Sequence, residues 1–284
     1  MSNNKVLIIL GSTGLVGGSL IGKYGDSLEH MYHQVIYVSR SRPKDTKNFI
    51  IGDCTDPAFL HNIITRVPPH CHIDIINLVL DKTDHKTLKN AILRVSKALV
   101  RITEARKNIR IIALSTTAVL ALKPYRTGYS NAKRREYELL RTIGAVLIIC
   151  PQIIESQSQN RSYGALCSKY TIGIQNVVDY LFKICKTNVT ARLYLPSKEE
   201  MNFMHDQSSD SLFQDVHYLI RGAWSWLTNA AERHYTERTM TYALLSLTPS
   251  ILRKHIDHHL MPQYLVNHFC SQNRCQIQAL EEAI

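Results

Sequence analysis

The sequence has no apolar stretch with the length and polarity of a membrane span, no low-complexity tract and no internal repeat. These absences set aside membrane-spanning, fibrous and solenoid architectures. Cysteine is sparse: seven residues, an odd number, scattered at positions 54, 71, 150, 167, 185, 270 and 275. Several sit in apolar segments, which points to reduced thiols in an intracellular protein rather than a disulfide framework. Acidic residues are short as well, 23 Asp and Glu against 34 Lys and Arg, for a formal net charge of +11. The positive residues are not gathered into a block. Arg101, Arg106, Lys107 and Arg110 form one loose group, and Lys133, Arg134, Arg135 and Arg141 another. No nucleic-acid module accompanies them. They read as a solvated basic surface, part of it available to an anionic cofactor, and no nucleic-acid partner is expected. Met-Ser-Asn-Asn-Lys leads straight into an apolar run, so no signal peptide and a cytoplasmic location are expected. At 284 residues and 45% hydrophobic, the chain can bury one large core or two modest ones.

Glycine is also infrequent, which makes its clustering near the start informative. Val6 to Leu10 are aliphatic, the pattern of a strand buried on both faces. Gly11-Ser12-Thr13-Gly14-Leu15-Val16-Gly17 follows, with three glycines at three-residue spacing, and then a helical pattern over 19–31. Gly11 permits the turn, Gly14 lets backbone approach a pyrophosphate, and Gly17, beside Gly18, lets helix pack on strand. The phosphates would sit on the free N–H groups of the helix start.

The second strand, Val35 to Val38, ends at Ser39-Arg40-Ser41-Arg42. An acidic residue here would bind both ribose hydroxyls and repel a 2′-phosphate, and none is present. Arg40 and Arg42 offer guanidinium groups suited to a phosphate, which predicts a preference for NADP(H) over NAD(H). Phe49 to Ile51 form a short third strand closed by Gly52-Asp53-Cys54-Thr55-Asp56. Asp53 is placed to meet the adenine amino group and Cys54 to line the ring; alternatively Asp53 or Asp56 caps the helix that opens at Pro57. Ile73 to Leu80 form a fourth, central strand interrupted by Asp74 and Asn77. Asp74, near the strand start, is expected to reach water, and Asn77 a neighbouring loop or the cofactor. Leu78 and Val79 are expected against the dinucleotide. A long helix is predicted over 86–107, a fifth strand over Ile111 to Leu114, a helix from Tyr129 to about Thr142 and a sixth strand over Ala145 to Cys150, stopped by Pro151. Six strands with intervening helices in 150 residues predict an α/β fold, a Rossmann-type doubly wound parallel sheet.

Tyr129 and Lys133 are four residues apart, one turn along one helix face. A free phenol has a pKa of about 10, and a nearby ammonium favours its phenolate form, so such a pair can pass a proton at neutral pH. The strand-end hydroxyls of Ser115 or Thr116 are candidates to hold a substrate oxygen beside the phenol. Lys133 is also a candidate ligand for the nicotinamide ribose.

Gly11-x-x-Gly14-x-x-Gly17, Gly52-Asp53, Ser115-Thr116 and Tyr129-x-x-x-Lys133 together resemble the short-chain dehydrogenase/reductase superfamily, over residues 5–155. The glycine spacing looks more like its extended and atypical branches, which include sugar-nucleotide epimerases and NmrA-like proteins. The resemblance implies Tyr129 as catalytic acid/base and Lys133 as its partner and ribose ligand. It implies Thr116, thirteen residues before Tyr129, or Ser115 as the orienting hydroxyl. Cys150-Pro151-Gln152-Ile153-Ile154 resembles the segment on the nicotinamide side, with Cys150 and Gln152 departing from the family's Arg-Pro-Gly. Asn77-Leu78-Val79-Leu80 is bulkier than the small alanines of extended members. The expected function is NADP(H)-dependent hydride transfer to or from a carbonyl or alcohol carbon. The alternatives are a sugar-nucleotide epimerase/dehydratase-like enzyme and a non-catalytic NmrA-like dinucleotide sensor. Family analogy also implies a homodimer through helices 86–107 and 129–142.

Residues 1–155 are thus expected to form the dinucleotide-binding domain and 156–284 a smaller, mainly helical substrate lobe and C-terminal region. A helix over Gly173 to Ile184, a strand over Ala191 to Leu195 and helical stretches from 213 onward fit that division. Trp224 and Trp226 read as core residues or as a stacking platform. His255, His258, His259, His268, Cys270 and Cys275 match no compact zinc spacing, so no metal is expected.

Overall fold

The computed structural model describes residues 4–41, 49–79, 85–116, 119, 128–150, 152–154, 171–187, 193–195 and 277–279. The chain enters at the middle of a sheet. β1 (Lys5–Leu10) lies between β2 (Gln34–Ser39) and β4 (His72–Asn77), with β3 (Phe49–Ile51) outside β2. On the other side follow β5 (Ile109–Thr116), β6 (Val146–Cys150), β9 (Leu193–Leu195) and β10 (Ile277–Ala279). The order is β10-β9-β6-β5-β4-β1-β2-β3, and every pairing is parallel. β7 (Gln152–Ile154) and β8 (Thr171–Gly173) form a separate two-stranded parallel pair. This is the doubly wound sheet expected from the alternation of strand and helix patterns. The edge strand at 277–279 falls where the periodicity pointed to helix; pairing with β9 decides its conformation.

The central strands are apolar on both faces because helices cover both. On one face, Leu60 and Ile63 of α2 (Pro57–Thr65), Val95 and Leu99 of α3 (His85–Ala105) and Tyr137 and Leu140 of α4 (Gly128–Thr142) pack on Ile8, Ile75, Ile111 and Ala113. On the other, Leu20 and Leu28 of α1 (Leu15–Met31) and Val178 and Leu181 of α5 (Ile174–Lys186) pack on Ile9, Ile76, Ile112 and Ile148.

Asp74 does not reach water as expected. It is buried and accepts two hydrogen bonds from Arg110, Nε to Oδ1 at 2.8 Å and Nη2 to Oδ2 at 2.6 Å. Tyr32 donates to the same carboxylate at 2.6 Å, and Arg110 also donates to the Thr187 carbonyl at 2.6 Å. The network ties β4, β5, the end of α1 and the end of α5 together at the amino edge of the sheet. Arg106 likewise donates to the carbonyls of Val67, Pro68 and Cys71. Two arginines assigned to a solvated basic surface are therefore internal fasteners. Among the described residues, no helix is long and apolar enough to cross a membrane.

Candidate active site

In a doubly wound sheet the crevice for a ligand opens where neighbouring strands send their connections in opposite directions. Here that point is the carboxyl end of β1 and β4. Gly11 leaves β1 at φ +79°, a conformation only glycine adopts without strain. A methyl group on it would lie 2.9 Å from the Leu78 carbonyl carbon, and Leu78 N–H donates to Leu10 O at 3.0 Å. So it is the backbone of Leu78, not its bulky side chain, that closes on the turn. Ser12 is buried and spends its hydroxyl on Val38 O at 3.0 Å, tying the turn to β2. Thr13 and Gly14 are exposed, and Gly14 N–H closes the turn onto Gly11 O at 3.0 Å.

α1 then begins at Leu15, with Gly14 as a cap that has no side chain to offer and no acidic residue in the first turn. The N–H groups of Leu15, Val16 and Gly17 have no acceptor within the helix. A methyl group on Gly17 would sit 2.5 Å from Gly11 O, so glycine alone lets the helix start lie against the turn. A positive helix end with glycine at its cap and no acidic side chain in its first turn, at the switch point of a parallel sheet, fits a dinucleotide pyrophosphate.

Among the described residues, the second strand's end does not add a built phosphate site. The Ser39 hydroxyl donates to Ser41 O, and Arg40 is exposed; Arg42 lies outside the described residues. At β3, Gly52 packs under the Phe59 ring, and its N–H donates to Ser39 O at 2.9 Å. The Asp53 carboxylate accepts from Thr55 N at 2.9 Å and Thr55 Oγ1 at 2.8 Å. Asp56, not Asp53, caps α2, accepting from Ala58 N at 2.9 Å. Cys54 is buried beside Gly11; burial, and then the Asp53 carboxylate, push its thiol up to about 12. Asn77 accepts from Val79 N at 3.3 Å, its carbonyl turned to the strand end rather than left bare.

β5 separates the two candidate hydroxyls. Side chains alternate along a strand. Ile111 and Ala113 pack with α3 and α4, whereas Ile112 and Leu114 pack with the opposite layer. Ser115 therefore shares its face with α4, and Thr116 points to the side of α1 and α5. Ser115 is 7% exposed, and its Oγ has no hydrogen-bond partner among the described residues. A buried hydroxyl without a partner costs about 1–3 kcal/mol, so it is a natural place for a ligand oxygen.

α4 opens at Gly128, with Tyr129 half-buried in its first turn and Lys133 one turn on. Lys133 is 6% exposed; its Nζ donates to Glu136 Oε2 at 2.7 Å and approaches the Leu114 carbonyl at 3.4 Å. Burial pulls the ammonium's pKa down, but the Glu136 carboxylate and then Tyr129 outweigh it, and the net direction is up. Glu136 is the site residue that the Tyr-x-x-x-Lys spacing does not reveal. Its own local signal is the i, i+3 distance from Lys133.

Pro151, Trp224, Trp226, His255, His258, His259, His268, Cys270 and Cys275 lie outside the described residues. Among the described residues no group of three His, Cys, Asp or Glu side chains could hold a metal ion.

The architecture is a Rossmann-type doubly wound parallel sheet. No protein family and no curated protein sequence matches this chain. Solved structures do share its fold. The Bacillus anthracis dTDP-glucose 4,6-dehydratase in complex with NAD is 12% identical, with a TM-score of 0.53 over 78% of this chain and 81% of that one. The Bordetella bronchiseptica enzyme WbmG in complex with NAD and UDP is 12% identical, with a TM-score of 0.51 over 72% and 80%. The glucuronic acid dehydrogenase of Chromohalobacter salexigens is 14% identical, with a TM-score of 0.53 over 73% and 85%.

These structures correct the expectation of an NADP-preferring reductase. The dehydratase and WbmG hold NAD, not NADP. Among the described residues the physical reason agrees: Arg40 is exposed past the strand end, and one exposed arginine does not by itself build a 2′-phosphate site.

Proposed function

We propose that the chain binds NAD(H) at the β1–β4 crevice and acts on a sugar nucleotide or a similar polyhydroxylated small molecule, as an epimerase/dehydratase-like enzyme or a dehydrogenase. One observation carries this reading. A glycine-capped helix start with no acidic side chain at the switch point stands in the same fold as a buried lysine and a buried serine hydroxyl at the end of β5 that has no partner among the described residues. Solved structures of this fold with NAD, and in one case UDP, support it.

Gly11, Gly14 and the N–H groups of Leu15, Val16 and Gly17 would hold the pyrophosphate. Ser12 keeps the turn in place through Val38, and Thr13 lies exposed beside it. Asp53, Cys54, Leu78 and Val79 line the approach to the adenine and the ring. NAD, when bound, supplies the acceptor and donor of hydride. Tyr129 would exchange the proton on the substrate oxygen. Ser115 rather than Thr116 would hold that oxygen, because only Ser115 lies on the α4 face. Lys133 supplies positive charge beside the phenol and an N–H donor for the nicotinamide-side ribose. The positive net charge suits a substrate that carries phosphates.

The test is to incubate the purified protein with NAD+ and a panel of UDP- and dTDP-hexoses. Proton NMR would follow the sugar, and absorbance would follow NADH. Isomerised or dehydrated sugar without net NADH identifies the epimerase/dehydratase reading, and stoichiometric NADH the dehydrogenase. Y129F is expected to lower turnover by roughly 10²- to 10⁴-fold, the usual contribution of a positioned acid/base. Tight NAD+ binding with no turnover on any sugar, and no effect of Y129F, would favour a dinucleotide sensor.

A further inference from the structure

Resting on the NAD reading above, we infer that Glu136 is a positioning residue for the site: it anchors the Lys133 ammonium at the end of β5 so that one N–H stays available to the nicotinamide-side ribose. An ammonium has three donors. In Lys133 one goes to Glu136 Oε2 at 2.7 Å and a second faces Leu114 O at 3.4 Å. The third has no partner among the described residues.

The pair is not explained by stability. Its side chains are 7% and 4% exposed, in a layer built mainly of Ile, Leu, Val and Ala. Buried ion pairs are often replaced by apolar residues of similar volume with no loss of stability. Nor does helix solubility need Glu136, since Glu138 on the exposed side of α4 lies 3.9 Å from Arg134. What the carboxylate does supply is direction. A lysine on four rotatable bonds has many ways to place its charge. Tied at two points, to a helix residue and a strand carbonyl, it has one. The strand carbonyl belongs to the residue before Ser115, so the anchor sets the ammonium's height relative to the hydroxyl proposed to hold the substrate.

Calorimetric titration with two probes tests this. NAD+ contains the nicotinamide-side ribose, and AMP lacks it while still reaching the glycine turn. E136Q is expected to weaken NAD+ binding about tenfold, the scale of one hydrogen bond to a charged group, and to leave AMP within twofold of wild type. K133M should do the same, K133M/E136Q should be no worse than K133M, and E136D should recover part of the loss. Equal weakening of both probes by E136Q, unchanged NAD+ affinity, or a further loss in the double variant would overturn the inference. If E136Q does not fold, K133M/E136M removes the pair as a unit. NAD+ binding equal to K133M then upholds the inference, and weaker binding overturns it. A wild-type protein that binds neither probe at millimolar concentration ends the NAD reading, and the inference with it.

Discussion

Gly17 and Gly18 are neighbours on α1 with opposite requirements. A methyl group at Gly17 would meet Gly11 O at 2.5 Å and Ser12 Cα at 2.8 Å, both backbone, so the helix start itself must move. A methyl group at Gly18 meets nothing within 4 Å. G17A is expected to destabilise the fold by about 1–3 kcal/mol, the range for overpacking, and to weaken NAD+ binding as the helix start leaves the turn. G18A should stabilise by up to about 1 kcal/mol through helix propensity. Urea unfolding of both variants checks this, and equal behaviour would mean that the turn is not packed as described. Cys54 shows the same dependence on place. Under the turn its thiol is held protonated by burial, so it is a space-filling group rather than a nucleophile.

At the scale of elements, the amino edge of the sheet is held by a bonded polar network, while at the carboxyl edge the Ser115 hydroxyl has no hydrogen-bond partner among the described residues. Asp74, Arg110 and Tyr32 bring β4, β5 and the end of α1 to one point, and Thr187 adds the end of α5. D74N leaves Arg110 with no full counter-charge and is expected to cost about 3–5 kcal/mol, as for one partner of a buried pair. D74L/R110M, which removes both, should lose less than D74N alone. Thermal melts of the two variants decide it, and a D74L/R110M variant no more stable than D74N would refute the coupling. The position of this network, far along the strands from the glycine turn, predicts that D74L/R110M binds NAD+ as wild type does wherever it is folded.

For the whole molecule, the parallel sheet is a rigid frame that presents several strand ends to one crevice, and a ligand that bridges them should stabilise all of it. NAD+ at one hundred times its dissociation constant is expected to add about 2.7 kcal/mol, or roughly 5–10 °C in melting temperature for a chain of this size. NADP+ at the same concentration should add less, in line with the correction drawn from the NAD-bound structures that share this fold. No shift with NAD+ would count against a dinucleotide site.

Much of this frame was legible in one dimension. Val6–Leu10 and the sixth strand over Ala145–Cys150 read as strands because a strand covered on both faces must be continuously apolar. The glycine triplet read as a turn because Gly11 and Gly17 leave no room for a side chain, and the Tyr129–Lys133 spacing is local to one helix. Three-dimensional packing decided the rest. Asp74 finds Arg110 across 36 residues and Tyr32 across 42, and no periodicity encodes a pairing between separate elements. The choice between Ser115 and Thr116 depended on which face of β5 meets α4, and that is set by strand register. The arginines past β2 suggested a phosphate, but charge in a sequence carries no information on whether solvent or protein surrounds it. Local sequence determined which segments are strands, helices and turns, since backbone preference and burial pattern act over a few residues. Only the tertiary structure decided which polar groups are spent on holding the fold and which, like the Ser115 hydroxyl, have no partner among the described residues, since hydrogen bonds and ion pairs are satisfied across space, wherever the folded chain brings partners together.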